Sequence, residues 1–276
     1  MGELCGASST DSFVMYCFNQ IGGNMVISDI HRNTAIPFIH KYHYSKILPR
    51  LTKRYLGFFE NDKMVGVVTL GWGTQPKGTI KKLFSQHELS SKDYLEIGKM
   101  CFLPIKNNSN FGSMAMSMLV KWVKKNTECL FLYTLADGIM GKCGYVYQAS
   151  NFIYIGKFKT SVYMDNKTKE KIHPRSARGL CEENAVFENK EKVFWLTHSF
   201  CEYKDISKIN GLMFRYIFPL DKRAKNILKK YPKYKNNKYP KGVDLLFEKR
   251  ISKGNFIKID MPKYNMDIFI HNFQKY

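Results

Sequence analysis

Residues 130–156, LFLYTLADGIMGKCGYVYQASNFIYIG, decide how the rest of this chain is read. The apolar run 130–135 has the length and character of a strand buried on both faces. It stops at Ala136-Asp137-Gly138, so a carboxylate stands at the strand's end. Gly141 and Gly144 follow, then Tyr145-Val146-Tyr147-Gln148-Ala149 as a short helix, then Ile153-Tyr154-Ile155 as a second strand closed by Gly156. Strand, acidic tip, glycine-bearing helix and strand make a βαβ-like unit, in which ligands collect beyond the carboxyl ends of the strands. Asp137 is then either a group placed for chemistry or the cap of the following helix, a common role for Asp.

Working outward, 94–103 reads as a strand stopped by Pro104. The polar turn 106–113 opens a helix to about residue 125, with Met114, Met118, Leu119 and Trp122 at helical spacing. A strand that enters a helix through an Asn/Ser/Gly turn aims backbone N–H groups at one point, which suits a phosphate. Ser109, Asn110, Gly112 and Ser113 are the candidates for that cofactor site. Upstream, 55–61 and 63–71 form a hairpin across Asn61-Asp62. A helix is expected after Pro37, residues 74–92 read as a polar surface insertion, and the Gly/Ser-rich residues 1–25 as a loose leader. Downstream, 157–165 and 169–173 make a second hairpin, 211–220 a strand, 224–230 a short basic helix, and 231–242 an extended segment. The architecture expected is α/β. A central mixed sheet flanked by helices spans 26–200, and a basic C-terminal extension, 201–276, packs on it.

The formal charge of +21 on 276 residues calls for a polyanionic partner, nucleic acid before a membrane surface. Residues 1–138 hold 16 Lys and Arg against 10 Asp and Glu, whereas 139–276 hold 28 against 13, so the attraction centres on the second half. Between 204 and 241 twelve Lys and Arg face two acids and interleave with Phe214, Tyr216, Phe218, Tyr231, Tyr234 and Tyr239. Lysines meet phosphates and aromatic rings stack bases. Lys171, His173, Arg175, Arg178, Arg215, Lys222, Arg223, Lys229 and Lys230 are the candidate nucleic-acid contacts. The seven cysteines are odd in number and include no Cys-x-x-Cys, which argues against a disulfide framework or a zinc knuckle and fits a reducing cytoplasm. No stretch approaches a membrane-spanning length.

The strand, turn, helix, strand, helix, strand order of 94–156 resembles the core of the GNAT acetyltransferase superfamily. That resemblance implies an acyl donor lying against the turn, with acetyl-coenzyme A among the possible donors. The superfamily's usual Gln/Arg-x-x-Gly-x-Gly/Ala loop is replaced by NSNFGSMA. The ordered series YHYSKILP, GVVTLGWG, IGKMCFLP, LADGIMGKCGYVYQASNFIYIG, HPRS, FRYIFPLDKRAKNILKK and YPK, over about 42–242, resembles the phage Mom DNA-modification family. The likeness implies a GNAT-like enzyme of the host-cell cytoplasm. It would convert adenine in double-stranded DNA to N6-(methylcarbamoyl)adenine and so protect that DNA from restriction. It also implies catalytic roles for His43, Tyr44, Ser109, Asp137 and Lys99, the last standing where the family more often has Arg. His43 and Asp137 become candidate ligands of Fe(II), an ion that imidazole and carboxylate suit. Because adenine N6 lies inside the base pair, the base must leave the stack and find aromatic support. Tyr44, Trp72, Tyr145 and Tyr147 are the stacking candidates. The competing expectations are a GNAT N-acetyltransferase acting on a protein or small amine, and a basic DNA-binding protein without catalysis.

Overall fold

The computed structural model describes residues 16–20, 23–45, 47–73, 75–103, 110–173, 177–235 and 237–265. The chain opens with β1 (Tyr16–Gln20), β2 (Gly23–Asp29) and α1 (Arg32–Tyr42). Next come β3 (Leu51–Glu60), β4 (Lys63–Trp72), α2 (Thr79–Leu83), β5 (Tyr94–Phe102), α3 (Phe111–Asn126) and β6 (Phe131–Asp137). They lead into α4 (Tyr145–Ala149), β7 (Ile153–Asp165), β8 (Lys171–Ile172), α5 (Arg178–Phe187), α6 (His198–Tyr203) and β9 (Ile206–Pro219). The last elements are α7 (Lys222–Lys229), α8 (Pro232–Lys235), β10 (Glu248–Ser252) and β11 (Asn255–Lys258).

The strands form one mixed sheet in the order β1-β2-β3-β4-β5-β6-β9-β10-β11, with β7 on β9 and β8 on β7. β5 and β6 run parallel; the other named pairs are antiparallel. The expected class, a mixed sheet flanked by helices, is what forms. β6 is buried on both faces, as an unbroken apolar run requires. Leu132 and Ala136 join the core beneath Leu119, Trp122 and Val123 of α3. Phe131 and Tyr133 face the opposite core, with Ile80, Phe84, Ile227, Tyr231 and Tyr234. Phe84 stacks on Phe131 at 4.9 Å, and burying such a ring stabilises by about 1.5–3 kcal/mol.

Several local expectations give way to packing. The leader expected over 1–25 contains β1 and the start of β2. Pro37 lies inside α1 rather than before it, with Ala35, Phe38 and Ile39 buried. The segment 74–92 is no mere surface insertion, since α2 buries Ile80 and Leu83 and is followed by buried Phe84 and Leu89. Within 231–242, expected to be extended, Pro232–Lys235 forms α8. No boundary falls at 201. β9 pairs with β6 on one side and β7 on the other, so the supposed extension supplies an interior strand. β7 runs straight through Gly156, whose φ of 110° marks an irregularity in its pairing with β9, not the strand's end. Cys101, Cys129, Cys143, Cys181 and Cys201 are free thiols. Among the described residues no helix is long and apolar enough to cross a membrane.

Candidate active site

The parallel pairing of β5 with β6 ends at Ile97 and Thr134, and beyond it the two strands bound a cavity of about 740 Å³. Side chains alternate along a strand, so Tyr133, Leu135 and Asp137 of β6 all reach this cavity. On β5 the register against β4 slips at Gly98, which is the extra residue of a β-bulge. A bulge re-aims the side chains beyond it, and Lys99 lines the cavity as a result. Tyr44 and Ser45 enter from the segment after α1, and Met213 and Arg215 from β9. Lys82, Lys99, Lys171, Arg215 and Lys233 give the walls five cations against Glu96 and Asp137.

Asp137 makes no side-chain cap to the adjoining 3-10 turn, which decides against the capping role. Its carboxylate instead accepts from Lys171 Nζ at 3.3 Å, in a pair whose side chains are only 8% and 16% exposed. Tyr44 lines the cavity together with Asp137, whose charge acts on its phenol. Burial, then the Asp137 charge, raise the Tyr44 pKa well above the usual phenol value, so the group stays a proton donor. Lys142 holds its ammonium 3.9 Å from the centre of the Tyr44 ring. Burial lowers the Lys142 pKa, with Lys171 adding to the effect and Asp137 opposing it. His43 is buried and stacks on Tyr44 at 4.4 Å, its Nδ1 2.9 Å from both the amide nitrogen and the carbonyl oxygen of Ser45. Tyr44 thus relates the two expected partners: its ring stacks on His43 and its phenol feels the Asp137 charge. Lys99 Nζ donates to Ser45 Oγ at 2.9 Å.

The described residues do not by themselves assemble a ligand set for iron. Among the described residues no three His, Cys, Asp or Glu side chains are grouped to hold a metal. The ammonium of Lys171 also occupies the position beside Asp137 that a cation would need. Asn110, Gly112 and Ser113, described members of the expected phosphate turn, do not line the cavity either. Asn110 is exposed and makes no side-chain cap, Gly112 is pressed against Val146, and Ser113 Oγ donates to the Asn110 carbonyl at 2.9 Å. Ser109 and Arg175 lie outside the described residues.

The expected DNA contacts divide. Lys171 is a buried site residue, not a surface cation. Arg215 lines the cavity, its guanidinium 4.4 Å from the Phe158 ring centre. Arg178 is exposed and paired with Glu182. Lys222, Arg223, Lys229 and Lys230 are exposed on and just after α7, whose Ala224 and Ile227 face the core. Most of the interleaved aromatics are packing: Phe214, Tyr216, Tyr231 and Tyr234 are buried. Of the stacking candidates, Tyr147 is buried against Phe152 and Tyr216, and Trp72 Nε1 donates to the Ser91 carbonyl at 2.6 Å. Tyr44 faces the cavity, and Tyr145 is exposed.

Sequence reasoning missed Glu96, Tyr133, Lys82, Lys233 and Tyr264. The period-two alternation back from Asp137 could have found Tyr133. Tyr264 has no such signal. Its ring centre lies 5.8 Å from Lys171 Nζ, and its buried hydroxyl has no hydrogen-bond partner among the described residues. A buried unsatisfied hydroxyl costs about 1–3 kcal/mol. Tyr264→Phe is therefore expected to melt at or above the parent temperature. A clear drop in thermal unfolding would mean that the hydroxyl is bonded after all.

Fold and site together define a mixed α/β protein whose sheet parts between two parallel strands to enclose a cationic, tyrosine-lined cavity. The Mom protein family's model matches residues 24–241, and the chain belongs to that family. A relative from Escherichia phage Mu, "Methylcarbamoylase mom", is 27% identical over 218 residues, covering 75% of this chain and 80% of its own length. Among solved structures, a GNAT-family acetyltransferase from Bacillus anthracis is similar at TM-score 0.36 and 11% identity, over 76% of this chain and 99% of that one. An N-acetyltransferase from Staphylococcus aureus gives TM-score 0.34 and 11% identity, over 71% and 97%.

Proposed function

We propose that this chain is a DNA-modifying transferase that acylates the N6 amine of adenine, with N6-(methylcarbamoyl)adenine as product and protection of DNA from restriction as its role in the host-cell cytoplasm. The observation that carries this reading is the Tyr44–Asp137–Lys171 cluster set in a cationic cavity of about 740 Å³. Cavities of roughly 300–1,000 Å³ hold drug-sized ligands, so an extruded base can enter. The membership in the Mom family and the name of the phage Mu relative support the same substrate and product.

Adenine N6 is a weak nucleophile because its lone pair is delocalised into the ring. Asp137 supplies what the amine lacks: an acceptor that draws off the N6 proton as the nitrogen attacks a donor carbonyl. The N–C bond forms, the bond from the carbonyl carbon to the donor's leaving group breaks, and the proton passes to the carboxylate. Tyr44, kept protonated by burial and by the Asp137 charge, supplies a hydrogen-bond donor to the same cavity. Lys171 donates to Asp137 and holds the carboxylate in place. No step needs a metal ligand from the described residues.

Mass spectrometry of nucleosides from cells that express the chain tests the reading. Modified adenine supports it. Unmodified DNA together with an acetylated protein or amine would establish the ordinary acetyltransferase instead. The cations of α7 carry a separate expectation. Each phosphate contact removed lowers the salt dependence of duplex binding by about one in log–log slope. Replacing Lys222, Arg223, Lys229 and Lys230 with Ala is expected to lower it by roughly four. An unchanged slope would remove α7 from the DNA interface.

A further inference from the structure

Resting on that reading of the cavity, we propose that it holds a second subsite, for a phosphate group, built by Lys82, Arg215 and Lys233. The three come from α2, β9 and α8 and line the same cavity. Packing brings their elements together. Tyr234 donates its hydroxyl to the Leu83 carbonyl at 2.8 Å, the Gln86 amide donates to the Tyr231 hydroxyl at 3.0 Å, and Phe84 meets both tyrosine rings edge-on. Lys82 and Lys233 are thereby fixed on neighbouring elements although 151 positions separate them.

The other cavity cations are engaged, Lys171 with Asp137 and Lys99 with Ser45. Lys82, Arg215 and Lys233 form no ion pair among the described residues. Arg215 is held with its guanidinium over the Phe158 ring. A planar, positioned guanidinium presents the fork that phosphate oxygens match. Lys233 Nζ stands 5.0 Å from the Tyr234 ring centre. Three cations that line one cavity without an ion pair of their own repel one another, and an anion that joins them relieves that repulsion. Asp137 would thus take the amine of the base, and Lys82, Arg215 and Lys233 a phosphate. That phosphate belongs either to the DNA strand that carries the base or to a phosphorylated acyl carrier.

The test uses the full chain, the Lys82→Ala/Lys233→Ala variant and Arg215→Gln. Dissociation constants are measured over a salt series for a single-stranded deoxyoligonucleotide with one adenine, and separately for coenzyme A. Each lost cation lowers the single-strand slope by about 0.7, so the double variant is expected to lose roughly 1.4. A loss confined to the oligonucleotide assigns the phosphate to DNA, and a loss confined to coenzyme A assigns it to the donor. Unchanged binding of both ligands by both variants, with parent-like melting, overturns the subsite. The readout is binding alone, so a lowered slope with unmodified host DNA would retain the subsite and reject the adenine reaction.

Discussion

Asp137→Asn is expected to abolish most DNA modification, by 10²–10⁴-fold in rate, the range usual for a lost proton acceptor. The substitution keeps the shape of the side chain and an oxygen that can accept from Lys171. What it removes is the negative charge that takes the N6 proton. Binding of DNA, which rests on cations elsewhere, should stay within a few-fold of the parent. The measurement is the initial rate of modified-nucleoside formation in purified DNA, beside a binding curve at the same salt. An Asn variant that modifies DNA at the parent rate would remove Asp137 from the reaction. His43 acts differently, because its contact runs through the Tyr44 ring. His43→Ala is thus expected to loosen Tyr44 and lower the rate less than Asp137→Asn.

Lys171→Met should cost about 3–5 kcal/mol of stability, the usual result of removing one member of a buried ion pair. At 16% side-chain exposure Asp137 has little water to replace the lost ammonium. A fully hydrophobic or neutral replacement of both members is far better tolerated, because no uncompensated charge remains. The double variant Asp137→Asn/Lys171→Met should therefore recover much of the loss while staying inactive. Chemical or thermal unfolding of the parent, the single variants and the double variant measures this coupling. Purely additive losses would show that the two charges do not depend on each other for burial. The two experiments separate the roles of Lys171, since the double variant restores the fold without restoring chemistry.

The site was legible where one strand carries several of its members. The run that ends in Asp137 is apolar for six residues and then acidic, a pattern that reads as a strand buried on both faces with a carboxylate at its end. His43 and Tyr44 were legible through the family motif, because adjacent side chains at the end of α1 stay together whatever the remainder of the chain does. The basic-aromatic run 204–241 misled for a definable reason. Alternation in β9 sends Phe214 and Tyr216 into the core on one face and Arg215 into the cavity on the other. The charges and rings that lie side by side in sequence are thus not one surface. Lys171 misled in the same way, since a lysine beside the hairpin turn reads as solvated until Asp137 is seen to bury it.

The sequence by itself determined the layout of β5, α3, β6 and α4, the acidic strand end and the excess of positive charge, because each depends on residues within a few positions of one another. Tertiary structure alone decided that β9 inserts beside β6, that Lys171 neutralises Asp137 from 34 positions away, and that Lys82, Arg215 and Lys233 share a cavity wall. Those pairings depend on which distant surfaces bury the most apolar area together. No local periodicity encodes that choice, because burial is a property of the packed chain and not of any single stretch.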